Sequence, residues 1–157
     1  MMFETAEMKL RREKKERDER IRKRIESGLL KKVLATTVAY NIDDTSDEKP
    51  GISGINDWDE YWKHCTEENF TDQHCASCGC SLNASNRVGA HIRLEGEEDN
   101  TRYAWIALYC KSCNNSREEQ KVQKDSLIVR TKMTVAHPNV PTLEDEIDRI
   151  LRGNLLD

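Results

Sequence analysis

Long apolar runs are missing from this chain. Of its 157 residues only 36 % are hydrophobic and 6 % aromatic, while 34 % are charged, so one small core with peripheral helices is expected rather than packing along the whole length. A core that small commonly needs a staple. No stretch approaches the roughly 20 consecutive apolar residues of a membrane helix, which predicts a soluble protein with no membrane partner. Residues 1–30 carry a charged run where a signal peptide would have an apolar centre. A reducing, cytoplasmic setting is therefore expected, and disulfides lose their usual compartment. There is no internal repeat.

The chain does have six cysteines, four of them in the pairs Cys75-x-x-Cys78 and Cys110-x-x-Cys113. Two such pairs put four sulfurs on two tight knuckles, the usual enclosure of a tetrahedral zinc ion, and a closed tetrathiolate is structural rather than catalytic. The competing readings are disulfides or scattered buried thiols. The 31 residues between Cys78 and Cys110 exceed the roughly 15–20 of compact four-cysteine motifs, so an insert must fold between the knuckles. Cys80 can replace Cys78 if the first knuckle is drawn differently, and His74 competes for the same place. Gly79 favours Cys78, because a glycine there supplies the positive φ that turns backbone amides toward the sulfur. Cys65 falls in a predicted helix.

Charge is unevenly spread. Residues 1–34 carry a net +5, residues 35–74 a net −8, residues 75–132 a net +2 and residues 133–157 a net −3, so the overall −4 says little about partners. Residues 6–40 read as a helix, opened by a run of mixed charge with Glu13 facing Arg17 and Glu16 facing Arg20. An apolar stripe of Ile21, Ile25 and Leu29, with Leu30, Val33 and Leu34 beside it, continues the helical period. Gly28 marks a bend within it. The segment 43–54, with its acids, Pro50 and two glycines, reads as a linker. Asp57 caps a helix to about Asn69 whose Trp58, Tyr61, Trp62 and Cys65 share a core-facing side.

Alternation of Val88, Ala90, Ile92 and Leu94 predicts a strand, and Arg102 to Tyr109 predicts its hairpin partner across the acidic loop 95–101. A helix is expected from Cys110 to about Lys124 and a strand from Ser126 to Val135. Thr142 would cap a last amphipathic helix carrying Leu143, Ile147, Ile150 and Leu151 on one face. The organisation expected is thus an N-terminal helical region (1–42), a linker (43–54), a zinc-binding domain (55–137) and a C-terminal helix (138–157).

The segments HCASCG, VGAHI and YAWIALYCKSCNN, in that order, resemble the zinc-binding fold of HNH endonucleases. They are closer still to a set of small zinc proteins with a GAH segment followed by a strand and a C-x-x-C-N pair. The resemblance covers about residues 70–130. It implies an α+β fold, a zinc-stabilised treble clef (ββα) flanked by N- and C-terminal helices, with Cys75, Cys78, Cys110 and Cys113 as zinc ligands. In an HNH nuclease, His91 would stand as general base and Asn114 as the last motif residue, holding a separate Mg2+ or Mn2+. Two departures count against that chemistry: the middle asparagine is replaced by the neighbourhood of Tyr103, Ala104 and Trp105, and Ala90 stands where an acid or histidine normally precedes the base. His91 has two other uses open to it, a structural hydrogen bond or a zinc ligand. The leading expectation is a zinc-stabilised module that engages a protein or nucleic-acid partner through its N-terminal helix. A metal-dependent HNH-type nuclease is the alternative.

Overall fold

The computed structural model describes residues 3–42, 49–97, 103–123 and 125–132. Helix α1 spans Ala6–Glu26 and opens on Thr5, whose hydroxyl accepts the Met8 amide at 3.0 Å, satisfying one of the free donors of the first turn. Its surface charges pair along the helix: Lys9 with Glu13, Arg11 with Glu7, Arg12 with Glu4 and Glu16, and Arg22 with Glu19 and Glu26. The pairs expected from spacing are replaced. Glu13 and Glu16 turn back to Lys9 and Arg12, and Arg20 reaches Glu67 at 2.7 Å.

The helix expected to continue to residue 40 stops at Glu26. Gly28 takes φ +87°, the left-handed turn that ends helices and that only glycine adopts without penalty. Two strands follow, β1 (Leu30–Val33) and β2 (Val38–Asn41). The apolar residues that fit a helical stripe are used otherwise, with the adjacent Leu29 and Leu30 both fully buried.

Helix α2 (Trp58–Thr66) starts where expected, with Asp57 at the N-cap position but making no side-chain capping hydrogen bond, and it stops at Thr66 rather than Asn69. The linker reading falls partly outside the described residues. The hairpin forms as expected, from β3 (Arg87–Leu94) and β4 (Tyr103–Cys110), with Ala90 opposite Ala107 and His91 opposite Ile106. After Cys110 the expected long helix is only α3 (Lys111–Asn114), followed by β5 (Gln120–Lys121) and β6 (Ser126–Lys132). The reason lies in the composition of residues 115–124, where Val122 is the one aliphatic side chain. A helix without an apolar stripe has nothing to bury. Val122 instead exchanges backbone hydrogen bonds with Thr36 and Thr37 and is buried. The expected helix from Thr142 lies outside the described residues.

Among the described residues six strands make one antiparallel sheet in the order β1-β6-β4-β3-β2-β5. Four strand spacings separate β1 from β2, about 19 Å if the sheet were flat. Residues 34–37 join them, and five Cα steps reach about 18 Å only when fully extended. That segment is instead a turn, with the Thr37 amide on the Leu34 carbonyl at 3.2 Å and Thr36 at φ +73°. The sheet must therefore curl until its two ends approach. Ala39, Ile92, Leu94, Trp105, Ala107 and Ile128 share its inner face by register, and all are buried.

Helix α2 packs on the outer face. Tyr61 donates its hydroxyl to the Arg130 carbonyl at 2.7 Å, and Trp62 donates its indole N–H to the Leu127 carbonyl at 2.9 Å, both on β6. Helix α1 is joined to α2 by the buried Arg24, whose Nη1 donates to the Cys65 carbonyl at 2.9 Å and lies 3.0 Å from Glu67. The architecture is thus mixed α+β: a curled antiparallel sheet, one helix across its outer face, and two cysteine knuckles at one end. The single turn of α3 falls short of the helix a treble clef would need.

Candidate metal centre

The first knuckle is a miniature hairpin. Residues His74 and Ser81 form a β-bridge, the Leu82 amide donates to the Gln73 carbonyl at 2.9 Å, and the Cys75 amide donates to the Cys80 carbonyl at 2.8 Å. At its tip the Gly79 amide closes on the Cys75 carbonyl at 2.9 Å with φ +79°, the conformation expected from a glycine after Cys78. The loop is fastened to the sheet through Ala76, whose amide donates to Leu108 of β4 at 3.0 Å.

The second knuckle begins where β4 ends. Cys110 is both the last residue of the strand and the N-cap of α3, and its sulfur accepts the Cys113 amide at 3.4 Å. The Cys75 sulfur accepts the Cys78 amide at 3.5 Å in the same manner. These N–H···S contacts stabilise thiolate over thiol. The Cys78 thiol is held down to about 7, first by the Cys80 amide, whereas burial raises Cys75 and Cys113.

All four sulfurs lie within 4.8 Å of one another. Tetrahedral coordination at a metal–sulfur distance of about 2.3 Å demands sulfur separations of about 3.8 Å, and Cys78 and Cys110 are 3.8 Å apart. Cys75 and Cys110 are buried, Cys113 is half-buried and Cys78 is exposed, so the centre sits at the surface with one ligand turned outward. The donor set and its spacing fit a four-coordinate metal ion such as zinc. Such an ion would neutralise thiolate charge and tie the loop before β3 to the end of β4.

The competing residues stand elsewhere. His74 is exposed, with Nδ1 3.1 Å from the Asp72 carbonyl. Cys65 is buried within α2, and burial pushes its thiol up to about 12. Cys80 flanks the Cys78 sulfur but is not one of the four.

His91 lies between α2 and the sheet. It is 5 % exposed, with its ring edge-on to Trp58 at 4.7 Å between centroids and 83° between planes. Two residues earlier on the same face is Gly89, where a side-chain carbon would lie 2.5 Å from the Trp58 carbonyl carbon. The GAH segment thus works as a packing motif: the glycine lets α2 close down, and the imidazole fills the space beside it. Asn114 ends α3. Among the described residues the four cysteines form the only group of three or more histidine, cysteine or acidic side chains placed to hold a metal, and His91 is outside it.

Burial lowers the His91 pKa from 6.5 to about 4, so this site favours the neutral ring. The unfolded chain takes up a proton as pH falls through 6.5, while the folded chain resists until about 4. The sign is therefore destabilising on acidification, by about 3 kcal/mol across that window. Urea midpoints measured from pH 7 to 4 should fall more steeply for the wild type than for His91→Phe, which keeps a ring against Trp58 without the titration. Thiol protonation affects both proteins alike, and parallel profiles would remove His91 as the cause.

Residues that spacing did not single out also bear on the centre. Asn41 and Gln120, from the two strands at the far edge of the sheet, both donate to the backbone of the second knuckle. Nothing in their local sequence signals this. No family model, curated protein or solved structure matches the chain.

Proposed function

We propose that this chain is a zinc-stabilised, HNH-like binding module that engages a macromolecular partner through α1 and does not catalyse a reaction. The carrying observation is the closed set of four sulfurs within 4.8 Å, a donor set that leaves no position for substrate. Tetrahedral sulfur coordination is the preference of zinc or of iron–sulfur chemistry, and a single ion among four cysteines fits zinc. The order of knuckle, hairpin and second knuckle supports the HNH-like reading. The argument against nuclease action is access. A general base must meet water and a phosphodiester, and His91 is covered by Trp58 at 5 % exposure.

Helix α1 supplies the binding surface. Its first half projects into solvent with Met8 49 % and Leu10 67 % exposed, as is Phe3 just before it at 83 %, while three of its six arginines, Arg11, Arg12 and Arg22, pair with acids on the helix itself. Exposed apolar side chains favour a protein partner.

Removal of residues 1–16 tests this, because the cut spares Ile21 and Arg24, which pack on the body. Pull-downs from cell extract with intact and shortened protein should show a protein retained only by the intact form, with zinc content unchanged. Equal capture by both forms would discard α1 as the docking element. Salt-dependent DNA or RNA binding lost on truncation would make it a nucleic-acid arm. Incubation of plasmid with Mg2+ or Mn2+ should give no nicking.

A further inference from the structure

We propose that Asn41 and Gln120 are positioning residues for the metal centre, a pair of side-chain amides that hold the second knuckle in place of the helix that is missing there. The inference rests on the reading that the four cysteines hold a metal. Asn41 Nδ2 donates to the Cys113 carbonyl at 2.8 Å and to the Ser116 carbonyl at 2.7 Å, and Gln120 Nε2 donates to the same Cys113 carbonyl at 2.7 Å. The two side chains come from paired strands, Gln120 standing opposite Ala39 across β2 and β5, and they converge on one oxygen.

The physical need follows from the length of α3. A helix of four residues leaves its last carbonyls without the amide four positions on that a longer helix would supply. Here the Asn115 amide is shared between the Cys113 and Lys111 carbonyls and the Ser116 amide reaches the Cys113 carbonyl at 3.2 Å, and the two side chains add further donors. Their own oxygens, Asn41 Oδ1 and Gln120 Oε1, are buried with no hydrogen-bond partner. An acceptor buried without a protein partner works against folding, so these amides are better explained by what they donate. What they accomplish is donation: fixing the Cys113 carbonyl fixes the peptide from which its sulfur hangs, and keeps that sulfur within reach of the other three. The clamp also makes the far edge of the sheet, β2 and β5, part of the metal centre.

The test uses the full-length protein, metal-depleted and titrated with Co2+ and Zn2+ against a chelator of known affinity. Wild-type protein should bind one Co2+ with the absorption of a tetrahedral tetrathiolate. Asn41→Leu and Gln120→Met keep side-chain bulk, remove the donors and delete the unpaired oxygens. Each should weaken metal binding about 10- to 100-fold, the range for outer partners of metal ligands, and alter the cobalt spectrum. Val129→Ala, a cavity in β6, should lower the melting temperature and, because metal uptake is coupled to folding, the affinity with it, while keeping the wild-type cobalt spectrum. If Asn41→Leu does not fold, Gln120→Met and Asn41→Ala carry the same expectation. Wild-type affinity and spectrum in the donor-free variants would overturn the clamp, as would the same spectral change in Val129→Ala. Failure of the wild type to take up cobalt would instead bring down the metal reading itself.

Discussion

Cys110→Ser should abolish the cooperative thermal transition of this protein. Cys110 terminates β4, caps α3 and places its sulfur 3.8 Å from that of Cys78. Serine offers a hard, neutral oxygen in place of a thiolate, so the fourth bond is lost and with it most of the metal affinity. Structural zinc sites in small domains contribute an apparent 10–16 kcal/mol or so to folding, against a total stability of about 5–15 kcal/mol for a typical domain. The six-stranded sheet carries part of the load here, which makes that figure an upper bound. Losing even half of it leaves little folded protein. Calorimetry and circular dichroism of Cys110→Ser and Cys75→Ser should show broad, low-enthalpy melting and no bound zinc, whereas Cys80→Ser, at an exposed position outside the four, should melt within a few degrees of wild type. A normal melting profile for Cys110→Ser would refute a structural role for the metal.

Gly89→Ala should have the second largest effect. A methyl group at this position would lie 2.5 Å from the Trp58 carbonyl carbon and 2.6 Å from the Asp59 amide nitrogen, both backbone atoms that no rotamer change can move. Helix α2 would have to lift by about 1 Å to restore ordinary contact. It is tied down by Tyr61 and Trp62 to β6, and by Asp59 to Arg87 at 3.0 Å, so lifting strains or breaks these bonds. The expected loss is about 3 kcal/mol or more, at the upper end for overpacking. Gly96→Ala is the comparison. That residue has φ +87° and open space around it, so it costs only the backbone penalty of about 1–2 kcal/mol. Urea unfolding should rank wild type above Gly96→Ala and Gly96→Ala above Gly89→Ala; equal midpoints for Gly89→Ala and wild type would mean that α2 does not bear on β3 as described.

These two positions also mark the limits of sequence reading. The cysteine pairs are visible because a knuckle is local: three residues of separation bring two sulfurs together whatever the rest of the chain does. The same holds for β3, where Val88, Ala90, Ile92 and Leu94 alternate, and for α2, where Trp58, Tyr61, Trp62 and Cys65 recur at helical spacing. Gly89 looked like any strand glycine. Only the helix crossing above it, some thirty residues earlier in the chain, makes its missing side chain a requirement.

The stretch from Ile21 to Leu34 shows why the rest was not legible. Its apolar residues satisfy a helical period, and the decision for two strands depends on the left-handed turn at Gly28 and on β6 being there to pair with Leu30–Val33. Those partners are nearly a hundred residues apart in sequence, and no local pattern records such a pairing. The long helix expected after Cys110 failed for the opposite reason. Its start signal was real, but residues 115–124 lack the apolar face that would sustain it, and Gln120 was drawn instead to β2 and to the Cys113 carbonyl.

What the sequence by itself determined is the chemistry of the centre: four soft sulfur donors on two tight turns, a glycine shaped to one of them, and a hairpin between. Tertiary structure decided what surrounds them. It curled the sheet because a four-residue turn joins strands four places apart, and it sealed His91 beneath Trp58. It also set Asn41 and Gln120 on the second knuckle. Ligand spacing is written in adjacent residues, whereas burial and strand order depend on contacts between distant ones.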